Sequence, residues 1–343
     1  PSVSAIWPVW TARGMKHTSL GEWLLYGAIC AYLLLIYLLP SQAWLGFTIN
    51  ALIVTILSVA WNLLGGFGGQ MSFGHAALFG TGAYVTAILQ VKLGVNPWIA
   101  AGLAVVAATL VAGFIGALSF RYGLRGSYFA LVTLAFAEVL RILASSFAFT
   151  GGGQGILVPY KTGLANFQFA DRITTYTLVL VMVAVAMLIT VAVQRSRFGA
   201  YLIAIRENEE AAKALGIDTF RTKVLAMMLS GAIGGAAGVA YLQTYLFIDA
   251  PIAYGSTMSI EALLGPIIGG AGTIWGPIVG TLSLHLLGEG AKHLVSGAPG
   301  LNLVLYGVVL LVILRYLPDG IVGFARSIGR TRRVAAVSVK EAQ

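Results

Sequence analysis

Long apolar runs constrain the fold of this chain more than any single motif does. Of its 343 residues, 58% are hydrophobic and 10% are charged, whereas about a quarter of a soluble domain is charged. An α-helix needs about 20 apolar residues to cross the hydrocarbon core of a bilayer, and the strands of a membrane β-barrel would alternate in polarity instead. We therefore predict an all-α, polytopic transmembrane helical bundle. The runs cover residues 23–39, 44–64, 70–91, 97–120, 128–148, 175–193, 222–247, 258–290 and 301–317.

The run at 258–290 is too long for one plain span. Gly269-Gly270-Ala271-Gly272 and Pro277 interrupt it, and clustered glycine and proline mark turns. We predict two shorter helices here, packed as a hairpin or a re-entrant pair. The expected total is about 8–10 helices, including broken or re-entrant segments. They form a single transmembrane domain over residues 1–343.

Basic residues predict how the bundle is oriented. The net charge of +9 is concentrated in loops and in the C-terminal tail, a pattern of topology determinants rather than of a nucleic-acid surface. Because cytoplasmic loops are enriched in Lys and Arg, we expect the loop 195–221 and the tail 318–343 to be cytoplasmic. Counting spans back from the loop puts residues 1–21 inside and 149–174 outside.

The charged loop is the most informative segment for function. Nearly a third of all charged residues lie between positions 195 and 223, between two apolar runs. The loop has an amphipathic pattern, which predicts a helix. Either that helix docks a soluble partner, or it is a solvated helix that only stabilises a turn. The residues that approximate its apolar face are Leu202, Ile205, Ala212 and Leu215, with the aliphatic stem of Arg206.

Within this loop, residues 206–216 read RENEEAAKALG and contain the pattern E-A-A-x-x-x-G. Gly216 is well placed to cap the helix, and Glu209 precedes Lys213 at the favourable i,i+4 spacing. The pattern resembles the loop motif of ABC importer permeases, in which a short cytoplasmic helix fits a cleft on the ATPase. That resemblance implies that coupling to the ATPase is carried by Arg206, Glu209, Glu210, Ala211, Ala212 and Gly216.

Four further segments make the resemblance more specific. They read GGFGGQMSFGHAALFGTGAYVTAIL at 65–89, TLAFAEVLR at 133–141, TGGGQGI at 150–156 and LRYLPDGIVG at 314–323. The chain resembles the permease subunits of branched-chain amino acid ABC importers, the hydrophobic amino acid transport group. The resemblance implies import of branched-chain or other hydrophobic amino acids, although related permeases carry urea or short amides.

The same resemblance implies partners and a location. A second permease subunit completes the core as a heterodimer or homodimer. Two cytoplasmic ATP-binding subunits supply the energy, and a periplasmic substrate-binding protein delivers the solute. The complex is expected among the lipids of the bacterial inner (plasma) membrane, and no cofactor is implied.

A few polar residues inside apolar runs are candidates for the substrate passage. Gln70, Ser72 and His75 lie among small residues, and an unmatched polar group is costly in an apolar setting. Glu138 and Arg141 share one helix face, and intramembrane ionisable residues usually face a bundle interior or a water-filled cavity. These five residues could line the passage, or they could only pack against neighbouring helices.

Several function classes are excluded or disfavoured by the sequence. There is no P-loop pattern, no HExxH and no Cys/His cluster, so we expect no catalytic residues, no metal site and no ATPase site in this chain. An ion-coupled secondary transporter, with Glu138, Glu261 and Glu289 as ion-binding groups, remains an alternative. A passive channel is a second alternative.

Overall fold

The computed structural model describes residues 20–38, 41–294, 307–308, 311, 315–317 and 319–327. Most of the predicted run at 301–317, and most of the predicted segments 1–21 and 318–343, therefore lie outside the described residues. The all-α class is confirmed, and residues 320–327 are helical as well. The helices are α1 Leu20–Leu38, α2 Gln42–Trp61, α3 His75–Val91, α4 Pro97–Arg121, α5 Gly126–Ser146, α6 Arg172–Arg195, α7 Arg197–Glu207, α8 Glu209–Ala214, α9 Thr219–Tyr245, α10 Ala250–Tyr254, α11 Ser256–Gly269 and α12 Gly276–Leu294.

Helices α2 and α9 form the centre of the bundle. Among the described residues, six helices are long and apolar enough to cross a membrane, namely α1, α2, α4, α5, α6 and α9. Most of α2 and α9 is buried, whereas no more than about a third of each of the other four helices is buried. Helix α9 packs on α3 and α4 through glycines that leave no room for a Cβ, such as Gly231 against Ala112 and Gly238 against the backbone of α3. Small residues permit the close backbone approach that stabilises helix pairs in lipid.

The apolar run at 70–91 is helical only from His75 onward. Helix α2 continues into a π-helical turn, Asn62–Phe67. The chain then reverses through Gly69, whose φ of 66° lies in the left-handed region that glycine adopts without strain. At Gly74 the backbone abuts α5 with no space for a side chain. These tertiary constraints, which no local pattern records, shorten α3 to 17 residues.

The predicted break within 258–290 is confirmed. Helix α11 ends before Gly270, whose φ is 122°, and α12 starts at Gly276. The two helices form a tight hairpin in which Gly280 lies directly against the carbonyl of Gly265.

At the opposite end of α6 from the loop 195–221, the chain forms a small two-stranded ribbon. Strand β1, Ile156–Leu157, pairs antiparallel with β2, Phe247–Ile248, so that Ile156 faces Ile248. The ribbon ties the connection after α5 to the end of α9. The sequence did not predict it, because two-residue strands carry no periodicity.

Candidate functional site

The charged loop folds as two helices, not the single helix that its pattern predicts. Helix α7 ends at Glu207, and α8 begins at Glu209. The side chain of Asn208 between them accepts hydrogen bonds from the backbone N–H groups of Glu210 and Ala211, both at 3.0 Å. Asn competes well for helix N-caps, so it breaks the helix here. As a result Leu215 does not share the buried face of Leu202 and is 82% exposed.

Gly216 terminates α8 as predicted. Its φ is 84°, and its N–H donates to the carbonyl of Lys213 at 2.9 Å. The N–H of Ile217 donates to the carbonyl of Ala212 at 3.1 Å, which completes a Schellman motif. Nothing lies within 4 Å of a Cβ built at position 216, so the requirement for glycine here is conformational rather than steric.

Three cations surround the two glutamates at the start of α8. The predicted contact between Glu209 and Lys213 exists at 3.5 Å, but Glu209 has a closer partner in Lys223, at 2.8 Å. The Arg125 guanidinium bridges both carboxylates, at 3.2 Å from Glu209 and 2.7 Å from Glu210. We call Arg125, Glu209, Glu210, Lys213 and Lys223 the loop ion cluster.

The cluster lowers the pKa values of both glutamates. Burial alone would raise the pKa of Glu209, but the hydrogen bond and charge of Lys223, with Arg125 and Lys213 nearby, leave it below its ordinary value. The hydrogen bond from Arg125 is the main cause of the lowered pKa of Glu210. The pKa of Arg125 is raised by the same bond to Glu210. Both glutamates are therefore ionised at neutral pH.

Lys223 is the most buried member of the loop ion cluster. Its side chain is 3% exposed, and its ammonium lies 4.8 Å from the ring centroid of Phe120 at the end of α4. A cation over an aromatic face is attracted by the ring quadrupole. Lys223 thus joins α9 to α8 and α4 at one point.

Arg206 holds the end of α7 against the centre of the bundle. Its Nη1 donates to the carbonyl of Gly66 at 2.9 Å, and its Nη2 bonds to Glu207 at 2.7 Å. Gly66 belongs to the π-helical turn, which touches the turn between α11 and α12 at Gly272. The fully buried side chain of Asn62 accepts from the N–H of Gly272 at 2.8 Å and donates to the carbonyl of Thr273 at 2.9 Å. The glycine-rich segments 65–69 and 269–272 therefore meet next to the end of α7.

The exposed surface of the loop outside these contacts carries apolar atoms next to the exposed ion pair of Asp218 and Arg221. Of the predicted coupling residues, Ala211 is exposed and Ala212 is buried. Leu215 projects beside a cleft of about 350 Å³, which α7, the α8–α9 turn and α9 enclose. Its lining residues are Phe198, Tyr201, Leu215, Gly216, Ile217, Asp218, Arg221, Thr222 and Leu225.

Gln70, Ser72 and His75 are buried inside this chain. The Nε2 of His75 lies 2.9 Å from the Oγ of Ser230 on α9, while its Nδ1 has no hydrogen-bond partner among the described residues. Gln70 donates to the carbonyl of Gly68 at 3.0 Å. The Oγ of Ser72 accepts from a backbone N–H two residues later, at 3.3 Å. All three residues lie in or directly after the non-helical stretch that precedes α3.

Glu138 and Arg141 are placed differently, on the exposed side of α5. They form a bidentate pair, with distances of 2.9 and 2.5 Å. Their side chains are 51% and 33% exposed, although they lie in the middle and second half of a membrane-spanning helix. Away from the ends of α4 and α6, the exposed large side chains of these two helices are apolar. The face of α5 that carries the pair is thus chemically unlike the other outer faces.

Sequence reasoning found the acidic half of the loop ion cluster but missed its basic half outside the loop. Arg125 lies 85 residues before Glu210, so no local spacing relates them. The available signal was that Arg125 is one apolar run away from residues 149–174, which implies the same side of the membrane as the charged loop. Asn62 carried no signal beyond being an amide within an apolar run.

The family model described as the branched-chain amino acid transport system permease component matches residues 43–314. The chain belongs to this family. The permease is therefore a multi-pass membrane protein and the permease component of a branched-chain amino acid ABC transport system, without catalytic activity of its own.

Its curated relatives include both permease types of one organism. The permease is 26% identical over 302 residues to the high-affinity branched-chain amino acid transport system permease protein LivM of Escherichia coli (strain K12), covering 80% of this chain and 69% of that protein. It is 27% identical over 290 residues to LivH of the same strain, covering 78% and 90%. An archaeal relative, the probable LivM of Methanocaldococcus jannaschii, is 28% identical over 273 residues, covering 74% and 78%.

Among solved structures, PsaBC from Streptococcus pneumoniae in complex with Fab matches with a TM-score of 0.45 and 16% identity, over 84% of this chain and 98% of that one. A likeness this distant carries no conclusion about the permease.

Proposed function

We propose that this permease forms half of a passage for branched-chain or other hydrophobic amino acids in a bacterial inner membrane. The second half is a different permease subunit, two cytoplasmic ATP-binding subunits drive the cycle, and a periplasmic binding protein delivers the solute. The similarity to both LivM and LivH of one organism supports a heterodimer.

The observation that carries the proposal is the ion pair on the outer face of α5. An ion pair in the middle of a membrane-spanning helix is expensive to expose to lipid tails, so such pairs usually face protein or a water-filled cavity. The partner permease supplies the protein surface, and the passage between the two subunits supplies the water-filled cavity. Glu138 and Arg141 then line the route, and together they match the two charges of a zwitterionic solute.

The buried polar residues before α3 support that face from behind. The N–H of Phe73 donates to Thr133 Oγ1 on α5 at 3.1 Å. Ser72, His75 and Gln70 belong to the same stretch, one layer inside α5. We assign them to the wall of the passage, where a change in their packing would shift α5 and so alter the solute route.

The loop carries the second part of the proposal, which is docking of the ATP-binding subunits. Because Arg125 and Lys223 already bind the carboxylates of Glu209 and Glu210, the contact to the partner is left to exposed apolar atoms. Ala211 and Leu215 provide them, and Gly216 and the α8 caps fix their position. Arg206, Glu209 and Ala212 hold the helix from its inner side.

Reconstitution tests the proposal directly. The permease is purified with its co-expressed partners, placed in proteoliposomes and supplied with binding protein. We expect ATP-dependent uptake of leucine, isoleucine or valine. Uptake of urea or acetamide instead would favour the amide-permease alternative. Uptake that follows an ion gradient without ATP would favour a secondary transporter, and ATP-independent flux would favour a channel.

A further inference from the structure

We infer that Arg125 is the positioning residue that transmits movement of α8 to α5. The inference rests on the proposed function, since it assumes that ATP-binding subunits move α8 and that α5 borders the passage. Arg125 occupies the N-cap position of α5. Its guanidinium reaches out of the α4–α5 turn to Glu209 and Glu210, the first two residues of α8.

The geometry suits transmission of movement because the planar guanidinium of Arg125 binds two neighbouring carboxylates. Arginine's fork of donors fixes orientation as well as distance, which a lysine at this position would not do. A displacement of the first turn of α8 therefore pulls on the first residue before α5. Glycines with positive φ flank the arginine, Gly123 in the turn at 67° and Gly126 at the first position of α5 at 54°, and they let the backbone of the turn follow.

Helix α5 is built to carry such a displacement over a distance. Its sequence from Ser127 to Ser146 contains neither glycine nor proline, the residues at which helices most often bend. Glu138 lies about 20 Å beyond Arg125 at a rise of roughly 1.5 Å per residue. A rigid helix moved at its cytoplasmic end therefore moves its ion pair as well.

The link can be cut without dismantling the loop. Glu209 stays bound to the buried Lys223 when Arg125 is neutralised. Arg125 itself is 48% exposed and Glu210 is 68% exposed, and exposed ion pairs contribute little to stability. Arg125→Gln should therefore fold normally and lose only the connection from α8 to α5.

The test compares Arg125→Gln with Arg121→Gln in the purified complex of permease, ATP-binding subunits and binding protein. Arg121 is an exposed arginine at the end of α4 and serves as the matched control. For Arg125→Gln we expect ATP hydrolysis near the wild-type rate and ATP-driven amino acid uptake lower by about tenfold, the usual size of a coupling effect. The control should keep both rates. The double variant Arg125→Glu with Glu210→Arg should regain part of the uptake.

A second readout separates transmission from a merely structural role. A cysteine at Leu131, an exposed position on α5, is introduced in a Cys30→Ala background and labelled with a maleimide with and without ATP. We expect its labelling rate to change with ATP in the wild-type complex and to stay constant in Arg125→Gln.

Three results would overturn the inference: wild-type uptake in Arg125→Gln, equal loss of hydrolysis and uptake, or an ATP response of the Leu131 label that survives in Arg125→Gln. Equal loss would mean that Arg125 only holds the docking surface. If the wild-type complex labels in an ATP-dependent way but imports no amino acid, the proposed substrate is wrong. The role of Arg125 is then still decided by whether Arg125→Gln abolishes the ATP response of the label.

Discussion

Glu209 is the residue on which the contacts of the loop ion cluster converge. Its carboxylate is 11% exposed and contacts Arg125, Lys213 and Lys223, which come from three different elements. A carboxylate this buried depends on its partners, and they depend on it, because removal of one member of a buried ion pair leaves an uncompensated charge.

The first prediction concerns that dependence. Glu209→Ala should destabilise the permease by about 3 kcal/mol, because it leaves the ammonium of Lys223 buried without a counter-charge. The measurement is equilibrium unfolding of the detergent-solubilised protein, read by circular dichroism. Glu210→Ala is the matched control and should change stability little, since its carboxylate is exposed. Similar unfolding curves for both variants would contradict the structural role of Glu209.

The second prediction follows from the lowered pKa values of Glu209 and Glu210. A carboxylate with a depressed folded-state pKa stabilises the fold above its unfolded-state pKa, about 4.3, and this contribution is lost as pH falls through the lower folded-state value. The position of α8 should therefore not change between about pH 8 and pH 5, and α8 should detach at pH below about 4.

Spin labels at Tyr122 and Lys213, in a Cys30→Ala background, would measure the distance from the α4–α5 turn to α8. A distance that changes between pH 7 and pH 6 would show that another group controls the attachment.

At the scale of elements, the sequence predicted which segments are helical better than where helices break. The apolar runs located the long helices because about 20 apolar residues have few other uses, and the glycine cluster located the α11–α12 turn. The late start of α3 and the break at Asn208 escaped, because both depend on contacts with distant residues or on a cap that competes with a helical pattern. The loop ion cluster was half predicted for the same reason.

Helix α8 supplies the third prediction. Leu215→Asp should weaken binding of the ATP-binding subunits, because it puts a charge in place of the most exposed large apolar side chain of the loop, in a contact that excludes water. The amount of ATP-binding subunit that co-purifies with the permease is the measurement. Lys213→Ala, which alters the same helix without adding a charge to the apolar surface, should retain its partners. Full co-purification of Leu215→Asp would place the docking surface elsewhere.

For the whole molecule, orientation is the property that every functional statement assumes. The cationic loop and the β1–β2 ribbon lie at opposite ends of α6 and α9. The positive-inside rule predicts that the loop is cytoplasmic, and the proposed docking of ATP-binding subunits to the loop requires the same.

The fourth prediction tests that orientation. Cysteines at Lys161 and at Asn208, each in a Cys30→Ala background, should react with a membrane-impermeant maleimide from opposite sides of the membrane. In intact cells only the Lys161 variant should label, and the Asn208 variant should label after the membrane is opened. Labelling of both in intact cells would invalidate the count of spans before the loop.

The hydrogen bonds between Asn62 and the α11–α12 turn have a consequence for how the chain is made. Its side-chain partners, Gly272 and Thr273, follow it by 210 and 211 residues. At roughly 5–20 residues per second of synthesis, they emerge between about 10 and 40 s later. During that interval the amide of Asn62 lacks its final hydrogen bonds, and an unpaired amide is costly in an apolar setting. The end of α2 therefore has to stay near water or a chaperone during that interval. A chain cut short before residue 272 would carry an unpaired polar group that membrane quality control can recognise.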